Sequence, residues 1–154
     1  MISHLNKKNK PAIIDISAKK ITNRIAIAQG IIQFSESTFK EIVSLKTKKG
    51  EIENIAIIAG ILGAKKTNEL IPLCHNIGID DVKINIETLK GISSLKVNSI
   101  VKTRAKTGVE MEALTAVTTA CLTIYDMCKS LDKGIVIKDI RLIKKRGGKS
   151  EFEI

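Results

Sequence analysis

Asp126 and Lys129 stand three residues apart in LTIYDMCK, residues 122–129. On a helix that spacing sets a carboxylate and an ammonium on one face, where they can meet. Beside core positions, as the neighbouring Tyr125 indicates, a partly buried acid next to an ammonium is a way to poise proton-transfer groups. On an open face the same pair is an ordinary surface ion pair. Glu110 and Glu112 open the same helix, where carboxylates favour the positive end of the helix dipole. Glu112 returns to nearly the same face as Asp126 but roughly 21 Å away along the axis. The two cannot act as a carboxylate pair on one bond, yet they can line the ends of a groove about as long as an extended nucleotide.

His75, in IPLCH (71–75), is one of two histidines, and a lone His beside a Pro turn is structural more often than catalytic. Cys74, His75, Cys121 and Cys128 supply the residue types of a Cys3His zinc site. Cys121 and Cys128, however, are two turns apart on one helix, roughly 10 Å by the rise per residue, so no metal is expected. Three basic clusters remain: Lys48-Lys49-Gly50, Lys65-Lys66 and Lys144-Lys145-Arg146-Gly147-Gly148-Lys149. The last is the most suggestive, because glycines let backbone amides approach an anion while lysines supply point charges. It lacks the spacing of a Walker loop.

The elements that must position these groups follow from periodicity. Residues 24–34 are Ile-rich and read as a strand. Ser35 offers an N-cap to a short helix carrying Phe39, Ile42 and Val43 and ending before Gly50. From Glu51 onward Ile52, Ile55, Ala59 and Leu62 make one stripe, while Ile57, Ile58, Ile61 and Ala64 fill the other faces. A helix apolar all round is buried all round, so a second subunit is expected on it, with Gly60 and Gly63 permitting close approach. Residues 77–89 and 95–101 alternate about Lys90-Gly91 as a hairpin. Leu114, Val117, Cys121, Ile124, Cys128 and Leu131 define a long amphipathic helix over 108–131. Residues 135–142 give a last strand before Gly147-Gly148 opens a loop. The order strand, helix, helix, hairpin, helix, strand predicts an α+β domain, ferredoxin-like, with helices on one face of a mainly antiparallel sheet.

The 154 residues suit one domain, with 44% hydrophobic and 27% charged residues. Residues 1–10 read as a mobile basic tail and 11–154 as a single catalytic domain. The apolar run that includes Ile55 to Gly63 is far short of the ~20 residues of a membrane span. With no leader pattern, the expected location is cytoplasmic, with no membrane partner. Three cysteines argue against a disulfide framework and for reduced thiols. The net charge of +10 asks for an acidic partner. Only four aromatic side chains, Phe34, Phe39, Phe152 and Tyr125, are available to stack on single-stranded nucleic acid. A basic RNA-binding α+β module is therefore the lesser alternative to an enzyme acting on a small polyanion.

Taken together, IPLCH (71–75), KTGVEMEALTA (106–116), LTIYDMCK (122–129) and GGKS (147–150) resemble the signature segments of the cyclic pyranopterin monophosphate synthase family, the second step of molybdenum cofactor biosynthesis. The likeness runs from about Pro11 to Ser150. It implies conversion of 3′,8-cyclo-7,8-dihydroguanosine 5′-triphosphate, supplied by a radical GTP cyclase, to cyclic pyranopterin monophosphate and pyrophosphate. It also implies a lyase without a resident cofactor, Mg²⁺ at most accompanying the triphosphate, in a hexamer built as a trimer of dimers with sites at subunit interfaces. By the same resemblance Asp126 is the catalytic acid/base, Lys129 its lysine neighbour, and Lys49 a second catalytic lysine from across the interface. Leu73, Cys74, His75, Met111 and Glu112 match substrate contacts, and Arg24, Lys65 and Lys145 match basic positions suited to the triphosphate. Asn76, Arg146 and Glu151 depart from the family pattern without removing a proposed catalytic group.

Overall fold

The computed structural model describes residues 4–44 and 46–154, and the side chains of 45–49 lie outside that description. The chain runs β1 (Thr22–Gln33), α1 (Glu36–Ser44), α2 (Lys46–Lys65), α3 (Thr67–Leu70), β2 (Asp81–Leu89), a 3-10 turn (Lys90–Ile92), β3 (Ser94–Ala105), α4 (Glu110–Cys128), β4 (Val136–Arg146) and β5 (Phe152–Glu153). The strands lie in the order β2-β3-β1-β4-β5, and every neighbouring pair is antiparallel. Without the short β5 this is the ferredoxin-like pattern: each of two strand–helix–strand crossovers skips one position, and the strand between fills it.

Strand alternation places β1 residues Ala26, Ala28 and Ile32 in the core, with Leu95, Val97 and Val101 of β3 beside them. Onto this face packs α4, whose Ala113, Ala116, Val117, Ala120, Cys121, Ile124 and Cys128 are buried at helical spacing. The small residues let helix and sheet approach, and Ser99 Oγ of β3 donates to the Ala113 carbonyl at 2.8 Å. Ser35 caps α1 as its type predicts, its Oγ accepting the Thr38 N–H at 3.4 Å.

In the single chain α2 turns Ala56, Gly60, Gly63 and Ala64 inward and leaves Ile55, Ile58 and Leu62 exposed, Ile58 by 67%, so the face on which a second subunit is expected is open. Two expectations are corrected. The close approach at the glycines of α2 is made by α4 of the same chain. A Cβ at Gly60 would stand 2.9 Å from the Ala116 carbonyl oxygen, and one at Gly63 2.8 Å from Thr119 Cβ. The last strand also reaches further than residue 142, to Arg146, because β1 offers partners along its whole length. That extension sorts the basic cluster by face. Lys144 Nζ and Arg146 pair with Glu153 at 2.7 and 3.1 Å, while Lys145, between them, turns to the helix side.

Candidate functional site

Two adjoining concavities meet at the N-terminal end of α4. The larger, about 700 Å³, is walled by cations: Arg24 from β1, Lys145 from β4, Lys19 and Lys20 from the segment before β1, Lys106 after β3, and Lys149 beyond β4. The smaller, about 140 Å³, has apolar walls from Leu73, Cys74, Ile77 and Met111, with His4, His75 and Glu112 among its polar groups. Lys19, Thr107, Gly108 and Glu110 line both, so they form one continuous groove with a basic half and a smaller, mostly apolar half.

Local backbone chemistry builds the basic half. Gly147 has φ +88° and its carbonyl accepts the Thr22 hydroxyl at 2.7 Å. Any Cβ there would collide with the Asn23 carbonyl oxygen, so glycine is required for the chain to leave β4 against β1. Arg24 is held by two backbone carbonyls of the opposite loop, its Nε donating to Ala105 at 3.4 Å and its terminal nitrogen to Lys106 at 3.2 Å. Lys145 Nζ stands 3.3 Å from the Glu110 carboxylate, and Lys106 Nζ donates to the Ser17 carbonyl at 2.8 Å. Val109, the N-cap of α4, supplies no side-chain cap, so the first-turn N–H groups of the helix add to the positive potential of the groove.

The apolar half carries groups of shifted acidity. Glu112 is only 5% exposed, and burial pushes its carboxyl above the ordinary value, opposed by its own backbone N–H and reinforced by Glu110. Burial, then the Glu112 charge, raises the Cys74 thiol, which is poorly suited to act as a nucleophile. His75 Nε2 lies 2.7 Å from the Ile14 carbonyl oxygen. A carbonyl only accepts, so this nitrogen carries a proton, and in the neutral ring Nδ1 is left as an acceptor.

Of the residues singled out from sequence, the fold gathers Arg24, Lys145, Leu73, Cys74, His75, Met111 and Glu112 in this groove. Lys65, at the end of α2, lines a separate concavity with Ile79 and Asp81. Asp126 and Lys129 sit at the far end of α4, about 21 Å from Glu112 by helix rise. Lys129 Nζ donates to Asp126 Oδ1 at 2.6 Å, with the two side chains 61% and 71% exposed. The expectation of a partly buried acid is therefore not met within one chain. The Lys129 ammonium is held above its ordinary value, first by this hydrogen bond and then by the Asp126 charge. The side chain of Lys49 lies outside the described residues.

Residues 13–148 match the model of the MoaC family. The chain belongs to that family. It is 47% identical over 148 residues to the cyclic pyranopterin monophosphate synthase of Peptoclostridium acidaminophilum, covering 96% of this chain and 93% of the relative. It is 48% identical over 149 residues to that of Helicobacter hepaticus and 50% identical over 149 residues to that of Helicobacter pylori strain Shi470, each covering 97% of this chain and 94% of the relative. The MoaC match spans every catalytic and substrate-contacting candidate singled out from sequence. Lys19, Lys20 and Lys106 of the groove were not singled out. Lys106 opens the KTGVEMEALTA segment and was legible there, whereas Lys19 and Lys20 stand in no pattern, and only the pairing of β1 brings them to Lys145.

Proposed function

We propose that this MoaC-family chain is a cyclic pyranopterin monophosphate synthase, converting 3′,8-cyclo-7,8-dihydroguanosine 5′-triphosphate to cyclic pyranopterin monophosphate and pyrophosphate. The observation that carries this reading is the two-part groove at the start of α4. Its cationic half suits a triphosphate, and its smaller apolar half, edged by polar groups, suits a heterocycle. The substrate's phosphates would displace Glu110 as the partner of Lys145, with Arg24 already oriented by its carbonyl contacts. The cyclic phosphate closes when a sugar-derived hydroxyl attacks the α-phosphorus. Its bond to the leaving pyrophosphate breaks, and the departing charge is met by the lysines and arginine. Opening and reclosing the purine-derived ring needs proton transfers, for which Asp126, Lys129 and Lys49 are the candidates.

Asp126 and Lys129 lie too far from the groove of their own chain to serve it. The exposed apolar face of α2, with Ile55, Ile58 and Leu62, supports an assembly in which a neighbouring subunit brings its own pair to this groove. In this reading the enzyme is a cytoplasmic lyase and a homo-hexamer built as a trimer of dimers. It needs no resident cofactor, works downstream of a radical GTP cyclase, and keeps residues 11–154 as its catalytic domain. Among the described residues no helix is long and apolar enough to cross a membrane. Mass spectrometry of products from the purified chain with the cyclised triphosphate tests the proposal. The expected result is cyclic pyranopterin monophosphate and pyrophosphate in equal amounts, and binding of generic RNA without product formation would overturn it.

A further inference from the structure

The Nδ1 atom of His4 is, among the described residues, the one buried side-chain nitrogen or oxygen without a hydrogen-bond partner. His4 lines the smaller half of the groove together with Cys74, His75 and Glu112. The sequence alone gives residues 1–10 no role beyond a basic tail, but residues 4–12 close into a turn. Leu5 bridges Pro11, and the Ala12 N–H donates to the His4 carbonyl at 2.9 Å. Asn6 Oδ1 accepts the N–H groups of Lys8 and Lys10 at 2.8 and 3.1 Å. The same strap is then pinned to the site twice, by the Ile14 carbonyl on His75 and by the Ser17 carbonyl on Lys106. His4 itself has φ +66°, a left-handed backbone that a non-glycine residue keeps only where its surroundings hold it.

A buried ring nitrogen without a partner is costly in a folded chain and is a feature that marks binding positions. We infer that His4 is a further substrate-contacting residue: the N-terminal strap sets it at the apolar half of the groove, and the polar edge of the bound heterocycle becomes the hydrogen-bond partner that Nδ1, closed to water in the free chain, lacks. The inference rests on the reading of this groove as the site for a nucleotide-derived substrate. A guanine-derived ring presents both N–H donors and carbonyl acceptors along its edge. A neutral imidazole can meet either by its choice of tautomer.

The test compares the wild-type chain with His4→Leu and His4→Asn in turnover of the cyclised triphosphate. Leu keeps apolar bulk and removes the nitrogen, while the Asn amide stands close to where Nδ1 stood. The expected result is a roughly tenfold rise in KM for His4→Leu with kcat within about twofold, and recovery of most of that loss by His4→Asn. An unchanged KM in His4→Leu overturns the inference. So does an Asn variant as impaired as the Leu variant, because strap packing alone would then explain the effect. An active wild type with an unmoved Leu variant removes only the role of His4, whereas an inactive wild type removes the reading of the groove with it.

Discussion

Lys129 Nζ donates to Asp126 Oδ1 at 2.6 Å on the last turn of α4, both side chains open to solvent, at the opposite end of the helix from Glu112 and Lys145. An exposed pair at this spacing contributes little to folding. In the free chain this hydrogen bond and the Asp126 charge hold the Lys129 ammonium above its ordinary value, which favours the protonated form. Lys129→Ala should therefore leave the thermal midpoint nearly unmoved and lower turnover on the order of 10²–10⁴-fold. Lys129→Arg keeps the charge but does not release a proton near neutral pH, so it should bind substrate and fail in turnover. Wild-type turnover in the Arg variant would remove Lys129 from the catalytic set.

The separation along α4 gives the second prediction. If the groove of one chain is completed by Asp126 of another, mixing inactive Asp126→Ala with inactive Lys49→Ala subunits should restore part of the activity through hybrid interfaces. Verified subunit exchange with no recovery would put both groups in one protomer.

The third prediction concerns the outer face of α2. Burying one isoleucine is worth ~1.5–3 kcal/mol, and at an interface between copies Ile58 would be buried in every subunit. Ile58→Lys should lower the assembly state in light scattering and reduce activity, with the far-ultraviolet circular dichroism unchanged. A variant with the wild-type mass in solution would show that this face is not the contact.

Gly147 supplies the fourth. Its positive φ and its contact with the Asn23 carbonyl mean that Gly147→Ala pays backbone strain of ~1–3 kcal/mol and displaces the loop that carries Lys149. The expected outcome is a lower thermal midpoint together with a higher KM. A stable variant with an unchanged KM would separate this loop from phosphate binding.

How much of this was legible beforehand differs by kind of information. Long-period patterns carried the fold: the 3–4 spacing of Leu114, Val117, Cys121, Ile124 and Cys128 placed α4, and the alternation about Lys90-Gly91 placed the β2–β3 hairpin. The bounds of β4 were missed because Lys144-Lys145-Arg146 looks like loop composition, and only pairing with β1 makes it a strand. The glycines of α2 were read toward a partner because sequence does not say which neighbour a small residue admits. In the groove, Arg24, Lys145 and Glu112 were legible through segments of familiar pattern. Lys19 and His4 were not, since their place depends on a strap whose hydrogen bonds are to backbone carbonyls, which every residue type offers alike.

Glu112 yields the last prediction, a pH dependence of stability. Its carboxyl sits almost wholly buried in the first turn of α4, and burial raises its pKa above the ordinary 4.5. In the unfolded chain the group ionises near that ordinary value, so the folded state binds its proton more tightly than the unfolded state. Stability from this group is fully present below pH 4.5 and is lost as pH rises through the folded value, after which it stays level. Glu112→Gln keeps the volume and stays neutral, and so escapes that loss. Thermal midpoints of the variant and wild type should agree near pH 4 and diverge upward from there, the variant being the more stable at pH 7. Its turnover should nonetheless fall, because the carboxylate edge facing the apolar half of the groove is gone. A variant less stable than wild type at pH 7 would mean that the charge is compensated in the assembled enzyme, by a cation brought from a neighbouring subunit.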